Sequence, residues 1–175
     1  MVDLPLRETA QPVKTRFIIV MGVAGSGKTT VGEQLAQHLG WNFYDADAFH
    51  PAENIAKMAN RTPLNDADRA PWLAALHALI LTSMKENRPA VLACSALKES
   101  YRQKLLKGNE GVQFVYLQGS YELIWSRISR RKNHYMKSQM LQSQFKALEE
   151  PADAWTFDVS LPVAEIVEGI TKQME

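Results

Sequence analysis

Eight residues near the start of the chain have the types and spacing to grip a polyphosphate: Gly22-Val-Ala-Gly25-Ser26-Gly27-Lys28-Thr29. They fit G-x-x-x-x-G-K-S/T, the pattern of a phosphate-binding loop. Glycine has no Cβ, so backbone N–H groups can turn inward and approach an anion closely. A helix starting at the end of the loop aims roughly half a positive charge at the same point. Lys28 has the reach for the β- and γ-phosphates of a nucleotide, and the Thr29 hydroxyl can ligate Mg²⁺. Gly22, Gly25, Ser26, Gly27, Lys28, Thr29 and Thr30 are therefore the candidate nucleotide-binding residues. A glycine turn with an incidental lysine is the plain alternative, but every specified position of the eight-residue pattern matches and both flanks agree with the motif.

Phosphoryl transfer also needs a metal, a positioned nucleophile and positive charge on the moving group. The stretch Trp41-Asn-Phe-Tyr-Asp45-Ala-Asp47 ends in two carboxylates. One could hold Mg²⁺ through water and the other accept a substrate hydroxyl proton. Both point to one side only if the strand stays extended through Asp47, and the pair could equally be a turn at a strand end. The third apolar run ends in Ser95 with no aspartate, so the metal carboxylate must come from elsewhere. Arg127, Arg130, Arg131, Lys132, His134 and Lys137 form a basic, aperiodic stretch. It reads as a mobile lid over about residues 130–140, or as a solvated charge run at a helix end. His50, just before Pro51, is either a capping and packing residue or a participant. Cys94 lies inside an apolar run and reads as buried and inert. Trp72 and Phe145 lie on apolar stripes and read as core.

The elements that must position these groups alternate. Phe17-Ile-Ile-Val-Met21 is a short β-branched run before the loop, and Val31, Leu35 and Leu39 make one helical stripe after it. Strands are expected at 41–47, 89–95, 112–117 and 155–161. Pro51 is placed to open a helix in which Ile55, Met58 and Ala59 share one face and Asn54 and Lys57 another. A polar loop over 61–69 offers several N-caps, and Pro71 is expected in the first turn of a helix carrying Trp72, Leu76, Leu79, Ile80 and Met84. Further helices are expected over 96–107, with Gly108 closing it, over 120–131 from the Ser120 cap, around Leu141, Phe145 and Leu148, and from Val163 to the end. Five apolar strands alternating with helices predict an α/β fold: a parallel sheet covered on both faces. Ligands of such sheets bind beyond the carboxyl ends of the strands. That rule puts the glycine loop, Asp45, Asp47 and Ser95 on one rim.

Bulk properties narrow the function classes. The chain has 175 residues, which suits one domain over 16–175 behind a flexible leader over 1–15. Hydrophobic residues make up 46% and charged residues 22%, with a net charge of +1. That balance carries no basic stripe for nucleic acid. No apolar run reaches the ~18 residues of a membrane span. A single cysteine excludes an internal disulfide framework and fits a cytoplasmic location.

Several blocks together resemble the gluconate kinase (gluconokinase) family. They are the loop itself, D-A-D-x-x-H-P from Asp45 to Pro51, Asn54-Ile-x-Lys57-Met58, and P-L-N-D-x-D-R-x-P-W from Pro63 to Trp72. C-S-A-L-K from Cys94 to Lys98 with Tyr101-Arg102, S-R-x-x-x-R-K-x-H from Ser126 to His134, and Gln144-Phe-Lys-Ala-Leu148-Glu149-Glu-Pro151 complete the set. The resemblance runs from about Phe17 to the C-terminus. It implies ATP-dependent phosphorylation of D-gluconate at its terminal hydroxyl, giving 6-phosphogluconate. It implies a three-layer fold like that of nucleoside monophosphate kinases, with a five-stranded parallel sheet and a movable lid, and commonly a homodimer. It further implies that Asp47, His50, Lys57, Arg69, Lys98, Arg102, Arg127, Arg131 and His134 lie near substrate or phosphate. Lys28, Asp47, Arg127 and Arg131 are then the catalytic candidates, with Asp47 as base. Asp47, His50, Lys57, Arg69, Lys98, Arg102 and His134 are the substrate-binding candidates, and Thr29 and Asp45 the metal candidates. A relative acting on shikimate, a nucleotide or another polyol acid stays open. A GTP switch does not fit, because neither N-K-x-D nor D-x-x-G occurs in the chain.

Overall fold

The computed structural model of the protein describes residues 13–130 and 134–175, the side chains of 134–137 excepted. Five strands form one sheet in the order β2-β3-β1-β4-β5, and every pairing is parallel. They are β1 (Phe17–Met21), β2 (Asn42–Asp45), β3 (Ala90–Ala93), β4 (Val112–Gln118) and β5 (Trp155–Asp158). The helices are α1 (Lys28–Leu39), α2 (Ala52–Ala59), α3 (Asp66–Lys85), α4 (Glu99–Leu106), α5 (Tyr121–Ile128), α6 (His134–Ala147) and α7 (Val163–Gln173).

Strand β1 is central and wholly buried, which is why its sequence is a continuous apolar run with no alternation. Its residues still sort by face. Ile18 and Val20 pack with Leu35 of α1, Ile124 of α5, Leu141 of α6 and Ile170 of α7. Phe17, Ile19 and Met21 pack with Leu76 and Ile80 of α3 and Leu105 of α4. The result is the expected three layers, helices on both faces of a parallel sheet. In register, Val20 pairs Ala93 and Ala93 pairs Asp45, so the loop after β1 and the carboxylate ending β2 reach the same edge.

Local rules set most boundaries, and several fall where the sequence does not announce them. Strand β2 stops at Asp45, and Ala46–Phe49 is a 3₁₀ turn capped by the Asp45 side chain, which accepts from the Asp47 N–H. Asp47 is therefore not on an extended strand, and the i, i+2 argument for its direction does not apply. Helix α3 begins at Asp66, earlier than the proline suggests. The Asn65 and Asp68 side chains form a reciprocal capping box there, leaving Pro71 inside the helix. Helix α4 starts at Glu99 because Ala96 takes a positive φ of 44°. Helix α5 ends at Ile128 and β5 at Asp158, both short of expectation. Helix α6 already starts at His134, so the C-terminal part of the basic stretch has helical backbone.

Helix α2 is turned the other way from its apolar pattern. Ile55 is 54% and Met58 44% exposed, while Asn54 is buried. The Asn54 amide accounts for the inversion: it donates to the Asp68 carbonyl on α3 at 2.8 Å and meets His50 Nδ1 at 3.2 Å. Polar partners orient this short helix, and its apolar face is left outside. The leader's first twelve residues lie outside the described residues; the last of it, Val13 and Lys14, is exposed and runs past Gly111.

Candidate phosphoryl-transfer site

The loop between β1 and α1 has the shape its glycines permit. Gly22, Gly25 and Gly27 take φ of 151°, 78° and 96°. Side chains are also excluded by space at two of them. A Cβ at Gly22 would lie 2.9 Å from the Leu117 carbonyl oxygen, and one at Gly25 would lie 2.6 Å from Ile128 of α5. Only glycine meets both demands. Ser26 is buried, and its hydroxyl has no hydrogen-bond partner among the described residues. Such orphans are uncommon in folded proteins and suit a loop shaped around a ligand's oxygens. The N–H groups of Lys28, Thr29 and Thr30 open α1 and have no intrahelical acceptor.

Lys28 folds back over the loop and donates to the Val23 carbonyl at 3.0 Å. Burial pulls its pKa below the ordinary lysine value, opposed by the charges of Asp45 and Asp47. Cys94 lies behind it, fully buried, its thiol pushed up to about 12 by desolvation. It is a neutral packing group, as expected. Thr29 Oγ1 lies 3.4 Å from Asp45 Oδ2, so the hydroxyl and carboxylate read as metal donors share one place. The other Asp45 oxygen accepts the Asp47 N–H at 2.9 Å. Asp45 thus sets the turn that carries Asp47, whose exposed carboxylate has no hydrogen-bond partner among the described residues and whose charge acts on Lys28 and His50. No group of three or more His, Cys, Asp or Glu placed to hold a metal ion exists among the described residues. Mg²⁺ bound with nucleotide phosphates needs only one or two protein ligands, and the Thr29–Asp45 pair fits that mode.

A second cluster lines the α3 side of the rim. The His50 ring stacks on Trp72 at 4.5 Å between centroids, and Trp72 Nε1 donates to the Ala46 carbonyl at 2.7 Å. Trp72 is buried as the sequence predicts, yet it also braces the turn bearing Asp47. Desolvation lowers the His50 pKa, against the Asp47 charge and with that of Arg69, which favours the neutral ring. Next to it, Tyr101 lies between two cations, with the Arg69 guanidinium 5.8 Å and Lys98 Nζ 5.5 Å from its ring centre. The Tyr101 hydroxyl donates to Asp66 at 2.5 Å, and Lys98 reaches the same carboxylate oxygen at 3.3 Å. The sequence marks Trp72 only as core and gives Tyr101 and Asp66 no part in the site. The only available signal was their place inside blocks already chosen for neighbouring residues.

Other candidates are placed differently. Lys57 is bound to Asp68 at 2.6 Å, where it supports the α3 capping box. Arg127 donates to the Val159 carbonyl at 2.6 Å, at the carboxyl end of β5. Arg131 lies outside the described residues, as does the side chain of His134. Arg102 departs most from the substrate contact implied for it. It is only 3% exposed. Its Nε and Nη2 donate to Glu99, its Nη1 to the Ala96 and Leu97 carbonyls, and its Nη2 also to the Glu149 carbonyl. All five guanidinium donors are thereby engaged inside the protein. Arg102 clamps the chain after β3 to the segment after α6. Lysine cannot reproduce that fork, so Arg102→Lys should lower unfolding stability by about 2–3 kcal/mol. Denaturant melts check this; a large loss of turnover at unchanged stability would return Arg102 to the substrate.

The comparisons with known proteins agree with this geometry. The shikimate kinase family model matches residues 24–175. A gluconokinase of Gluconobacter oxydans is 47% identical over 146 residues, 83% of this chain and 82% of that protein. The thermoresistant gluconokinase of Escherichia coli is 42% identical, covering 85% and 87%. The crystal structure of a gluconokinase from Sinorhizobium meliloti superposes with a TM-score of 0.81 at 42% identity, over 94% of this chain and 93% of that one. A shikimate kinase of Acinetobacter baumannii, 21% identical with a TM-score of 0.57, shares the fold. With the glycine loop, the carboxylate-bearing turn and the Trp72-braced His50 assembled on one rim, and with identity at this level along nearly the whole chain, the protein belongs to the gluconokinase family of P-loop kinases.

Proposed function

We propose that this protein transfers the γ-phosphoryl group of ATP to the terminal hydroxyl of D-gluconate, giving 6-phosphogluconate and ADP. The observation that carries the reading is the convergence of three groups at the rim: the phosphate loop, the free Asp47 carboxylate, and the cations around Tyr101. Asp47 takes the proton of the terminal hydroxyl. The freed oxygen attacks the γ-phosphorus, and the bond from that phosphorus to the β,γ-bridging oxygen breaks, with its electron pair leaving on ADP. Lys28 and the N–H groups opening α1 hold the phosphate oxygens as charge shifts. Thr29 and Asp45 would hold Mg²⁺, which offsets charge on the β- and γ-phosphates. Arg69 and Lys98 are the cations suited to the gluconate carboxylate, and neutral His50 offers a hydrogen bond to a hydroxyl. Arg127 supplies positive charge from the last turn of α5 and Arg131 from a lid over about 130–140, in which His134 lies. A homodimer in the cytoplasm belongs to the same reading and rests on family likeness.

The family model's name keeps a shikimate-like acceptor as a second reading. ADP release with Mg-ATP is the measure, against gluconate, shikimate, the common nucleoside monophosphates, or no acceptor. Gluconate should be preferred over every other acceptor by about 10⁴-fold or more in kcat/KM, the scale of hydrogen-bonded discrimination. Preference for shikimate would move the acceptor assignment, and equal turnover without any acceptor would make the protein an ATPase.

A further inference from the structure

One hydrogen bond from the loop runs to the C-terminal part of α6, well beyond His134, where none of the roles above assigns a ligand contact. The Ala24 N–H, in the first half of the phosphate loop, donates to Gln144 Oε1 on α6 at 2.6 Å. Gln144 is held on a firm mount. One turn before it, Leu141 is fully buried in the core. Beside it, Phe145 meets the Tyr121 ring edge-on at 5.6 Å, fixing α6 to α5. Just beyond the helix, the Glu149 N–H donates to the Leu97 carbonyl at 2.8 Å and the Glu149 carboxylate caps the Glu99 N–H at 2.8 Å. Arg102 holds the Glu149 carbonyl as well. The amide of Gln144 is therefore a fixed acceptor.

Among the described residues three N–H groups of the loop are tied down: Gly22 N–H donates to the Ser95 carbonyl at 3.4 Å, Ser26 N–H to the Val23 carbonyl at 3.2 Å, and Ala24 N–H to Gln144. The N–H groups of Lys28, Thr29 and Thr30 follow at the start of α1 and have no intrahelical acceptor. An anion site costs least to fill when its donors are already arranged. We propose that Gln144 is a positioning residue of the phosphate loop, fixing the Ala24 peptide so that the second half of the loop is set to receive the nucleotide's phosphates. Only the identity of that ligand rests on the kinase reading; the gluconate assignment does not enter.

Two measurements without any acceptor test it. In the unaltered protein the Ala24 amide should exchange its hydrogen slowly. In Gln144→Met, which keeps length and packing but loses the acceptor, exchange at Ala24 should rise to the rate of an open loop. Calorimetric binding of Mg-ADP to that variant should weaken by about five- to tenfold, the worth of roughly one hydrogen bond. Gln144→Glu keeps an acceptor and adds a charge. Its Ala24 amide should stay slow, while its Mg-ADP affinity should fall, and fall less at high salt. Rapid Ala24 exchange in the unaltered protein would overturn the proposal. So would unchanged Mg-ADP affinity in Gln144→Met, or tighter binding, which would make Gln144 a competitor for the phosphate's donor. A salt-independent affinity in Gln144→Glu would place residue 144 away from the phosphates and overturn it too. Because no acceptor is present, these outcomes separate from any failure of the gluconate assignment.

Discussion

Replacing Lys28 with methionine should remove about 10²–10³ of kcat, some 3–4 kcal/mol of transition-state stabilisation, without unfolding the protein. The ammonium is the one side-chain cation placed on the loop itself, and its hydrogen bond to the Val23 carbonyl keeps it at the loop's mouth. The sign of the stability effect follows from its pKa. Burial lowers that pKa in the folded state, so the charged form is less favourable there than in the unfolded chain. At neutral pH, well below the unfolded value, the charge works against folding. Methionine fills the same space without charge, so the melting temperature should hold or rise while turnover falls. Stopped assays for ADP with a thermal melt on the same samples check both halves. Near-parental kcat would remove the loop lysine from the mechanism, and a melt lowered in step with activity would make the loss one of folding.

The second large effect separates the two carboxylates. Asp47→Asn keeps the shape of the turn and removes the charge that acts on Lys28 and His50. Its kcat should drop by about 10²-fold or more, the scale of a lost general base. Its Mg²⁺ requirement should change little. Asp45→Asn should act otherwise. One Asp45 oxygen caps the 3₁₀ turn and the other faces the Thr29 hydroxyl, and an asparagine oxygen can keep the cap but not the charge. The Mg²⁺ needed for half-maximal rate should therefore rise, with partial rescue by excess metal. Titrating Mg²⁺ at saturating ATP and gluconate distinguishes the pair. Rescue of Asp47→Asn by metal, with Asp45→Asn inert, would exchange the two roles. Parental behaviour in both would leave the hydroxyl to be activated by another group.

What could be read in advance divides by the range of the forces involved. The glycine loop was legible because its requirement is local: positive φ, no Cβ, and a helix starting at Lys28. The buried strands were legible because a parallel sheet covered on both faces leaves them no polar side, as the wholly buried β1 has none. Each depends on neighbours a few residues away, so the sequence by itself determined the layers, the loop and the rim on which the site lies. The choices among polar side chains were made at a distance. Asn54 turned α2 against its apolar pattern through partners on other segments, His50 and Asp68. Arg102 closed all its donors on the chain between Ala96 and Glu149, and Gln144 crossed 120 residues to reach Ala24. Asp45 became a cap as well as a metal candidate because the strand ended two residues sooner than its pattern suggested. Only the tertiary structure decided these roles. A buried donor or acceptor must find a partner wherever the fold brings one, and that pairing leaves no periodic mark in the sequence.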